Sequence, residues 1–436
     1  MSATTTDFRR GGATSRLFGH PPGLTVLVLT QMWAEFSYFG LQALLVYYMT
    51  QHLGFSQAKS SLIYGGYGAA AFFSPFFGGI IADRWLGRTR SVVLGGLLMM
   101  CGHFAMALPA LLFPALALVA LGNGLFIPPL AVQVGRLYAD DDPRKAHAFS
   151  AYYMGINLGG GLAPLVCGSL GELLGWHWGF AAAGVGMLVG LVIYLGFAST
   201  LPPEPRYSAT AERERNAFTP KQKADLGLVI VIVATVVLFR IGYEQSGNVL
   251  ALWVQHQTDR TLHLPWGGVI IPATWFQSIN PLLIIVLTPL LIAWWGGRER
   301  RRGKANLFAR MSLGCVIASL SMAVMMGAAV VYAASGRPVS SGWVIAYFTL
   351  LTVGELMVIP VGLTVISELA PAQAAAMVMG IWYIAKFLGS LLAGVMGAFW
   401  GEIPPVLFFG LGAGSVLLAA AIFYVLGRAR PLIVHS

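Results

Sequence analysis

Three acids and two bases stand well inside long apolar runs of this 436-residue chain, away from their ends: Glu35, Glu244, Glu355, Arg240 and Lys386. A charge held in hydrocarbon is costly unless it is paired or faces water, so each is a candidate functional group. Arg240 precedes Glu244 by four residues, which puts both on one helix face. With three acids against two bases, at least one carboxyl lacks a fixed basic partner and can take up and release a proton. Glu35, Arg240, Glu244 and Glu355 are therefore the candidates for proton coupling and ion pairing. Polar side chains recur around them at helical spacing. Gln31, Glu35, Tyr38 and Gln42 form one stripe; Ser150, Tyr153 and Asn157 a second; Arg240, Glu244 and Asn248 a third; Tyr64 and Tyr67 share a further run. Such stripes would be costly against lipid, so each is expected to face a bundle interior. A single Tyr or Asn among them serves equally well as interhelical glue. His103 is isolated and reads as structural. Cys101, Cys167 and Cys315 share no ligand spacing, and their odd number argues against a disulfide framework. Neither a metal nor a cofactor is expected. No nucleophile–base pair stands out and no G-x-x-x-x-G-K-S/T loop is present, so neither an enzyme nor ATP use is expected.

The elements that must carry these groups follow from composition. Hydrophobic residues make up 57% of the chain, charged residues 10%, and the mean hydropathy is +0.73. Soluble domains run at roughly 25% charged, so this is an all-α integral membrane protein with the lipid bilayer as a partner. Twelve apolar runs are long enough to cross: about 24–50, 58–82, 90–110, 112–137, 146–171, 178–200, 225–256, 266–295, 305–333, 342–369, 373–400 and 404–427. With the N-terminus inside, the inner segments hold 22 Lys and Arg and the outer loops hold three, Lys59, Arg260 and Arg337. That asymmetry predicts a multi-pass protein of the inner, cytoplasmic membrane with both termini cytoplasmic. It also accounts for the net charge of +10 without any nucleic-acid partner. The polar stretch 201–224 divides the chain into an N-terminal arm (1–23), a six-helix bundle (24–200), a linker (201–224), a second six-helix bundle (225–427) and a tail (428–436). Traces of repetition cross the linker: Phe126-Ile127-Pro128 matches Val358-Ile359-Pro360, and Met154-Gly155-Ile156 matches Met379-Gly380-Ile381, in the same order within each half. Two parallel six-helix repeats with a binding site between them at mid-membrane describe the major facilitator architecture.

The motifs narrow this further. Between the second and third runs, Gly79-Ile-Ile-Ala-Asp83-Arg84-Trp-Leu-Gly87-Arg88-Thr-Arg90 resembles the major facilitator signature loop, in which an acid among arginines can lock one face. Asp83, Arg84 and Arg88 are the candidate gating residues. Four other stretches resemble the proton-coupled oligopeptide transporter family. The fifth run reads Phe149-Ser-Ala-Tyr152-Tyr153-Met-Gly-Ile-Asn157-Leu-Gly159, close to F-S-x-F-Y-x-x-I-N-x-G. The seventh reads Tyr243-Glu244-Gln245-Ser-Gly247, like F-E-Q-x-G. The eighth reads Trp275-Phe-Gln277-Ser-Ile-Asn280-Pro281, like W-F-Q-S-x-N-P. The tenth and eleventh carry Gly354-Glu355, Pro360-Val-Gly362, and Met379-Gly-Ile-Trp382. Bacterial members of the family usually carry two extra helices between the halves, for which the 24-residue linker has no room.

The chain also departs from the family. Where the family has E-x-x-E-R-F-x-Y-Y-G, this sequence has Gln31-Met-Trp-Ala34-Glu35-Phe36-Ser-Tyr38-Phe39-Gly40, so both motif acids are gone and Glu35 replaces the Arg. Where the family places a Lys before Pro in the fourth helix, this chain has Ile127. The remaining intramembrane cations, Arg240 and Lys386, both lie in the second half. Lys386, one turn after Trp382, is expected to receive an anionic substrate group, and Arg240 to be held by Glu244 or Glu35.

The resemblance implies a monomeric secondary active transporter of di- and tripeptides or peptide-like molecules, coupled to protons and working by alternating access. Its expected substrate-binding residues are Tyr38, Tyr64, Tyr67, Asn157, Asn280, Glu355, Trp382 and Lys386. Glu355 leads among the proton-coupling acids, because the family uses this acid for the peptide amine. Two other readings stay open, the first of them motivated by the missing first-half cations. One is a transporter of the same fold for a non-peptide amphiphilic acid or siderophore-like metabolite, working as an importer or an exporter. The other is a non-transporting membrane receptor.

Overall fold

The computed structural model describes residues 19–139, 142–203, 218–265, 267–303, 305–371 and 375–430. The first half contains α1 (Pro22–Tyr47), α2 (Gln57–Ile81), α3 (Arg88–Ala105), α4 (Leu112–Arg136), α5 (Arg144–Leu174) and α6 (Trp176–Gly196). The second contains α7 (Pro220–Tyr243), α8 (Val249–Gln257), α9 (Ile279–Arg302), α10 (Leu307–Ser335), α11 (Gly342–Leu369), α12 (Ala375–Ala398) and α13 (Pro405–Ala429). α7 and α8 together make one span, so the described residues form twelve spans in two six-span halves. Ten are apolar enough to cross a membrane by length and composition alone. The other two, α1 and α3, are diluted by Gln31, Glu35 and Gln42 and by Arg88, Arg90 and His103. The polar groups that α1 carries toward the bundle interior are thus what lowers its hydropathy.

Helix ends follow local chemistry. Pro22, Pro220 and Pro405 sit in first turns, where a missing N–H is not needed. Thr219 and Gln222 close a capping box on α7. Short π-helical turns, Tyr48–His52 and Ala82–Leu86, extend α1 and α2.

Three expectations need correction. The run 266–295 is not one helix. Gly267–Ile270 is strand β3, antiparallel to β2 (Thr261–Leu264), and a 3-10 turn, Ala273–Ser278, leads into α9. Pro265 and the Gly267-Gly268 pair favour a hairpin over helix there. α9 in turn continues to Arg302, with Arg298 and Arg310 lying over the Trp295 ring at 5.8 and 4.6 Å. The run 225–256 is interrupted: Glu244–Gly247 is a 3-10 turn and Asn248 is not helical (φ −109°, ψ −95°). The run 90–110 ends at Ala105, ahead of a separate turn beginning at Pro109. Strands β1 (Thr258–Asp259) and β4 (Val339–Ser340) pair in parallel beside the hairpin. The arm to residue 18, the linker over 204–217 and the tail from 431 lie outside the described residues.

In the first half, α1 packs on α5 and α6, α2 on α4, and α3 on α4 and α6. In the second, α10 packs on α11 and α13, and α7 on α12 and α13. The halves meet mainly along α2 and α12, and where α5 meets α9 and the turn before it. Glycine makes the first contact possible: a Cβ at Gly65 would lie 2.6 Å from the Cα of Gly394. Packing this close suits helices that have no hydrophobic drive to associate in lipid.

Candidate functional site

The two ends of the bundle differ. One end carries the strands; the other carries the loops rich in Arg and Lys. Among the described residues, every hydrogen bond between the halves lies toward the strand-bearing end. Tyr47 donates to the Ala251 carbonyl at 2.9 Å, Ser61 to Asn248 Oδ1 at 2.9 Å, Gln57 to the Gly397 carbonyl at 3.0 Å and Gln277 to the Ala43 carbonyl at 3.2 Å. Glu172 at the end of α5 accepts the backbone N–H groups of Ala273 (3.0 Å) and Thr274 (2.8 Å), with Arg260 3.8 Å away. Trp275 Nε1 donates to Ser169 at 2.7 Å. Toward the basic end the halves touch through aromatic side chains instead, with the Phe73 and Phe387 rings 5.0 Å apart. Tyr153 and Tyr383, which lie well inside their spans, are 40% and 46% exposed. The halves are therefore tied together at the strand-bearing end, and the exposure of these two tyrosines marks the basic end as the more open one.

The five ionisable side chains converge above this opening. Arg240 Nη1 is 2.9 Å from Glu244 Oε1, and both side chains are about 10% exposed. Of the two partners expected for Arg240, Glu244 is the one that holds it. The pair is an i,i+4 one: Glu244 is still helical, its N–H bonding the Arg240 carbonyl, and the break begins just after it. Glu355 on α11 accepts the Tyr243 hydroxyl at 3.0 Å and Asn280 Nδ2 at 2.9 Å, one donor on each oxygen. Asn280 also donates to Thr352 at 3.0 Å. Glu35 on α1 accepts Gln31 Nε2 at 2.6 Å, and Gln31 in turn accepts the Tyr152 hydroxyl from α5 at 2.8 Å. Lys386 Nζ sits 3.4 Å above the Phe72 ring, a cation–π contact from α12 onto α2 of the other half. Among the described residues it has no carboxylate within 4 Å. It lies within electrostatic reach of Arg240, Glu244, Glu35 and Glu355.

Aromatic residues line the same region. Tyr38 and Tyr67 stack at 6.1 Å and 26°, and Tyr38 meets Phe72 edge-on at 6.1 Å. Neither hydroxyl of the stacked pair has a hydrogen-bond partner among the described residues. Tyr64 accepts Gln42 Nε2 at 2.9 Å and packs on Gly247, where any Cβ would collide with its hydroxyl. Trp382 is nearly buried, against Gly362. Asn157 is buried and donates Nδ2 to the Tyr153 carbonyl at 2.9 Å. Of the second stripe, Ser150 stands apart: it is exposed and donates to the Ala146 carbonyl.

The signature loop lies at the basic end. Arg88 is 3.5 Å from Asp83, whose side chain is 66% exposed, while Arg84 is exposed. A pair this open to water contributes little to stability, so any locking there would be conditional on the state of the bundle.

Sequence reasoning did not single out Phe72, Tyr152 or Tyr243 as site residues. Tyr152 and Tyr243 each adjoin a residue that it did single out, and their helical phase was the available signal. Phe72 had none, since it is one of four phenylalanines in an apolar run.

The profile of the Major Facilitator Superfamily matches residues 27–394. The peptide transporter YePEPT of Yersinia enterocolitica subsp. palearctica serotype O:3 is 32% identical, over 97% of this chain and 96% of its own. The crystal structure of a peptide transporter POT in complex with sulfate superposes with a TM-score of 0.86 at 29% identity, covering 96% of each chain. That of a POT family transporter in complex with 5-aminolevulinic acid does so with a TM-score of 0.86 at 25% identity, covering 95% of this chain and 97% of the other.

Proposed function

We propose the following for this chain, which belongs to the proton-coupled oligopeptide transporter family of the major facilitator superfamily: it carries short peptides or peptide-like molecules across the bilayer by alternating access, driven by protons. The observation that carries this reading is the convergence of charges from both halves on a cavity closed at one end and open at the other. A site shared by two bundles changes its access when they rock against each other. The bundles are residues 24–200 and 225–427, with the arm 1–23, the linker 201–224 and the tail 428–436 on the cytoplasmic side. The strand-bearing end then faces outward and the open end inward. The protein works as a monomer in the bacterial inner membrane.

Substrate lies among Tyr38, Tyr64, Tyr67, Asn157, Asn280, Trp382, Lys386 and Glu355, and Asp83, Arg84 and Arg88 form the gate on the cytoplasmic side. Glu355 carries the proton. Both its oxygens are held by neutral donors and no base lies within 4 Å among the described residues, so it can cycle between charged and neutral forms without stranding a partner. Arg240 and Glu244 remain paired as the fixed ion pair. A gradient of about one pH unit supports about tenfold accumulation per proton.

One observation favours a second reading, a substrate that is not a peptide: the first half offers Glu35 and Ile127 where the family holds a carboxylate. Uptake of labelled dialanine into proteoliposomes under an imposed pH gradient tests both readings. Accumulation in the wild type, absent without the gradient and abolished in Glu355→Gln, is expected. Uptake indifferent to the gradient and to the substitution would remove proton coupling. No uptake of any peptide would favour the second reading.

A further inference from the structure

The charged groups of the cavity differ in how completely their own half satisfies them. Arg240 and Glu244 pair within the second half at 2.9 Å. Glu355 has both oxygens occupied by Tyr243 and Asn280, again within the second half. Glu35 and Lys386 are left over. Glu35 has one oxygen on Gln31 at 2.6 Å, and Gln31 is itself fixed by Tyr152 at 2.8 Å, so the carboxylate is held in place with its other oxygen free of any partner among the described residues. Lys386 is located by the Phe72 ring at 3.4 Å, which meets its charge and leaves its N–H donors without an acceptor among the described residues. Neither group is sealed away: unlike the hydroxyls of Tyr38 and Tyr67, neither is among the buried polar atoms that lack a partner. The two feel each other's charge across the boundary between the halves, yet no contact closer than 4 Å joins them.

We propose that Glu35 and Lys386 form a split charge couple that a short zwitterionic ligand bridges, its ammonium on Glu35 of the first half and its carboxylate on Lys386 of the second. This assignment rests on the transport reading and names the ends of its substrate. It places the ligand's ammonium on Glu35 and leaves Glu355, at the edge of the same site, free to carry the proton. The charge balance agrees: the five side chains sum to −1, a zwitterion leaves that unchanged, and one proton on Glu355 brings the occupied cavity to zero. It also gives each half one end of the ligand, so binding itself draws the two bundles together.

The test is a binding panel on the purified full-length protein with dialanine, dialanine amide, N-acetyl-dialanine and 5-aminolevulinate. A lost charge-assisted contact weakens binding by about 10- to 150-fold. Lys386→Gln is expected to weaken dialanine and N-acetyl-dialanine by that much and to spare the amide. Glu35→Gln is expected to weaken dialanine and its amide and to spare the N-acetyl form. These contrasts within one variant do not depend on how well it folds. Equal loss for all ligands in either variant, or an ammonium-specific loss in Glu355→Gln in place of Glu35→Gln, overturns the couple and leaves peptide transport standing. Binding of 5-aminolevulinate but no peptide, weakened by Lys386→Gln and by Glu35→Gln but not by Glu355→Gln, keeps the couple and removes the peptide reading. A wild type that binds none of the four removes both.

Discussion

At the scale of single residues, the cavity is decided by which charges already have partners. Arg240 and Glu244 sit in a poorly solvated place, with each side chain about 10% exposed. Two ions taken out of water contribute little net stability as a pair, but removing one strands the other at a cost of about 3–5 kcal/mol. Arg240→Leu alone is therefore expected to lower the thermal unfolding midpoint of the purified protein sharply. Arg240→Leu combined with Glu244→Leu is expected to recover most of that loss, because no charge is left uncompensated. A double variant as unstable as the single one would mean that the pair is needed for more than its mutual neutralisation, for example to hold Lys386 and Glu355 at their potentials.

At the scale of elements, the broken span and the α2–α12 seam do the positioning. The 3-10 turn Glu244–Gly247 gives up regular helical bonding, and Gln245 Nε2 donates to the Ile241 carbonyl at 3.3 Å while neighbouring helices pack the turn. Ser61 donates to Asn248, Gln245 reaches the Ala393 carbonyl at 2.9 Å, and Tyr64 packs where Gly247 has no side chain. Non-helical backbone at membrane depth is tolerated where it is enclosed by protein or faces water, and Glu244, Gln245 and Gly247 are buried here. The seam closes because Gly65 and Gly394 let the backbones touch. Gly65→Leu is expected to hold this end apart and to move the population toward the state open at the strand-bearing end. A cysteine introduced at Ser61 should then react faster with a membrane-impermeant maleimide than it does with Gly65 intact. Unchanged labelling would mean that α2 can shift along α12 without opening the cavity.

At the scale of the whole molecule, orientation and mechanism are one question. The inter-half hydrogen bonds cluster at the end with three Lys and Arg, while the loops with most of the basic residues lie at the end where the cavity is reachable. If basic loops stay in the cytoplasm, the described arrangement is the inward-facing one. Reporter fusions after Lys223 are expected to read cytoplasmic and fusions after Thr261 external. The opposite result at either position would reverse the direction assigned to the opening. The rocking that exchanges the two openings must break the Glu172 contacts with Ala273, Thr274 and Arg260, and each is a polar contact that water can replace once the end opens.

Membrane insertion, the number of spans, the division into halves and the family were legible in the residues alone. Each rests on local quantities: the length of an apolar run, the basic count of a loop, or a motif within one helix. The charged and tyrosine residues of the cavity were legible for the same reason, since a polar group in an apolar run announces itself wherever it points. The partners were not. Glu244 and not Glu35 on Arg240, Tyr243 and Asn280 on Glu355, and Phe72 beneath Lys386 are choices among side chains that only the packing of helices brings within reach. The break at Glu244–Gly247 and the hairpin before α9 were missed for a related reason. Hydropathy reports whether a segment suits lipid, whereas the break there is packed by side chains from other helices, such as Ser61, 187 positions from the Asn248 side chain it bonds. Burial is a property that each residue carries with it; a contact belongs to two residues at once, and only the tertiary structure brings the two together.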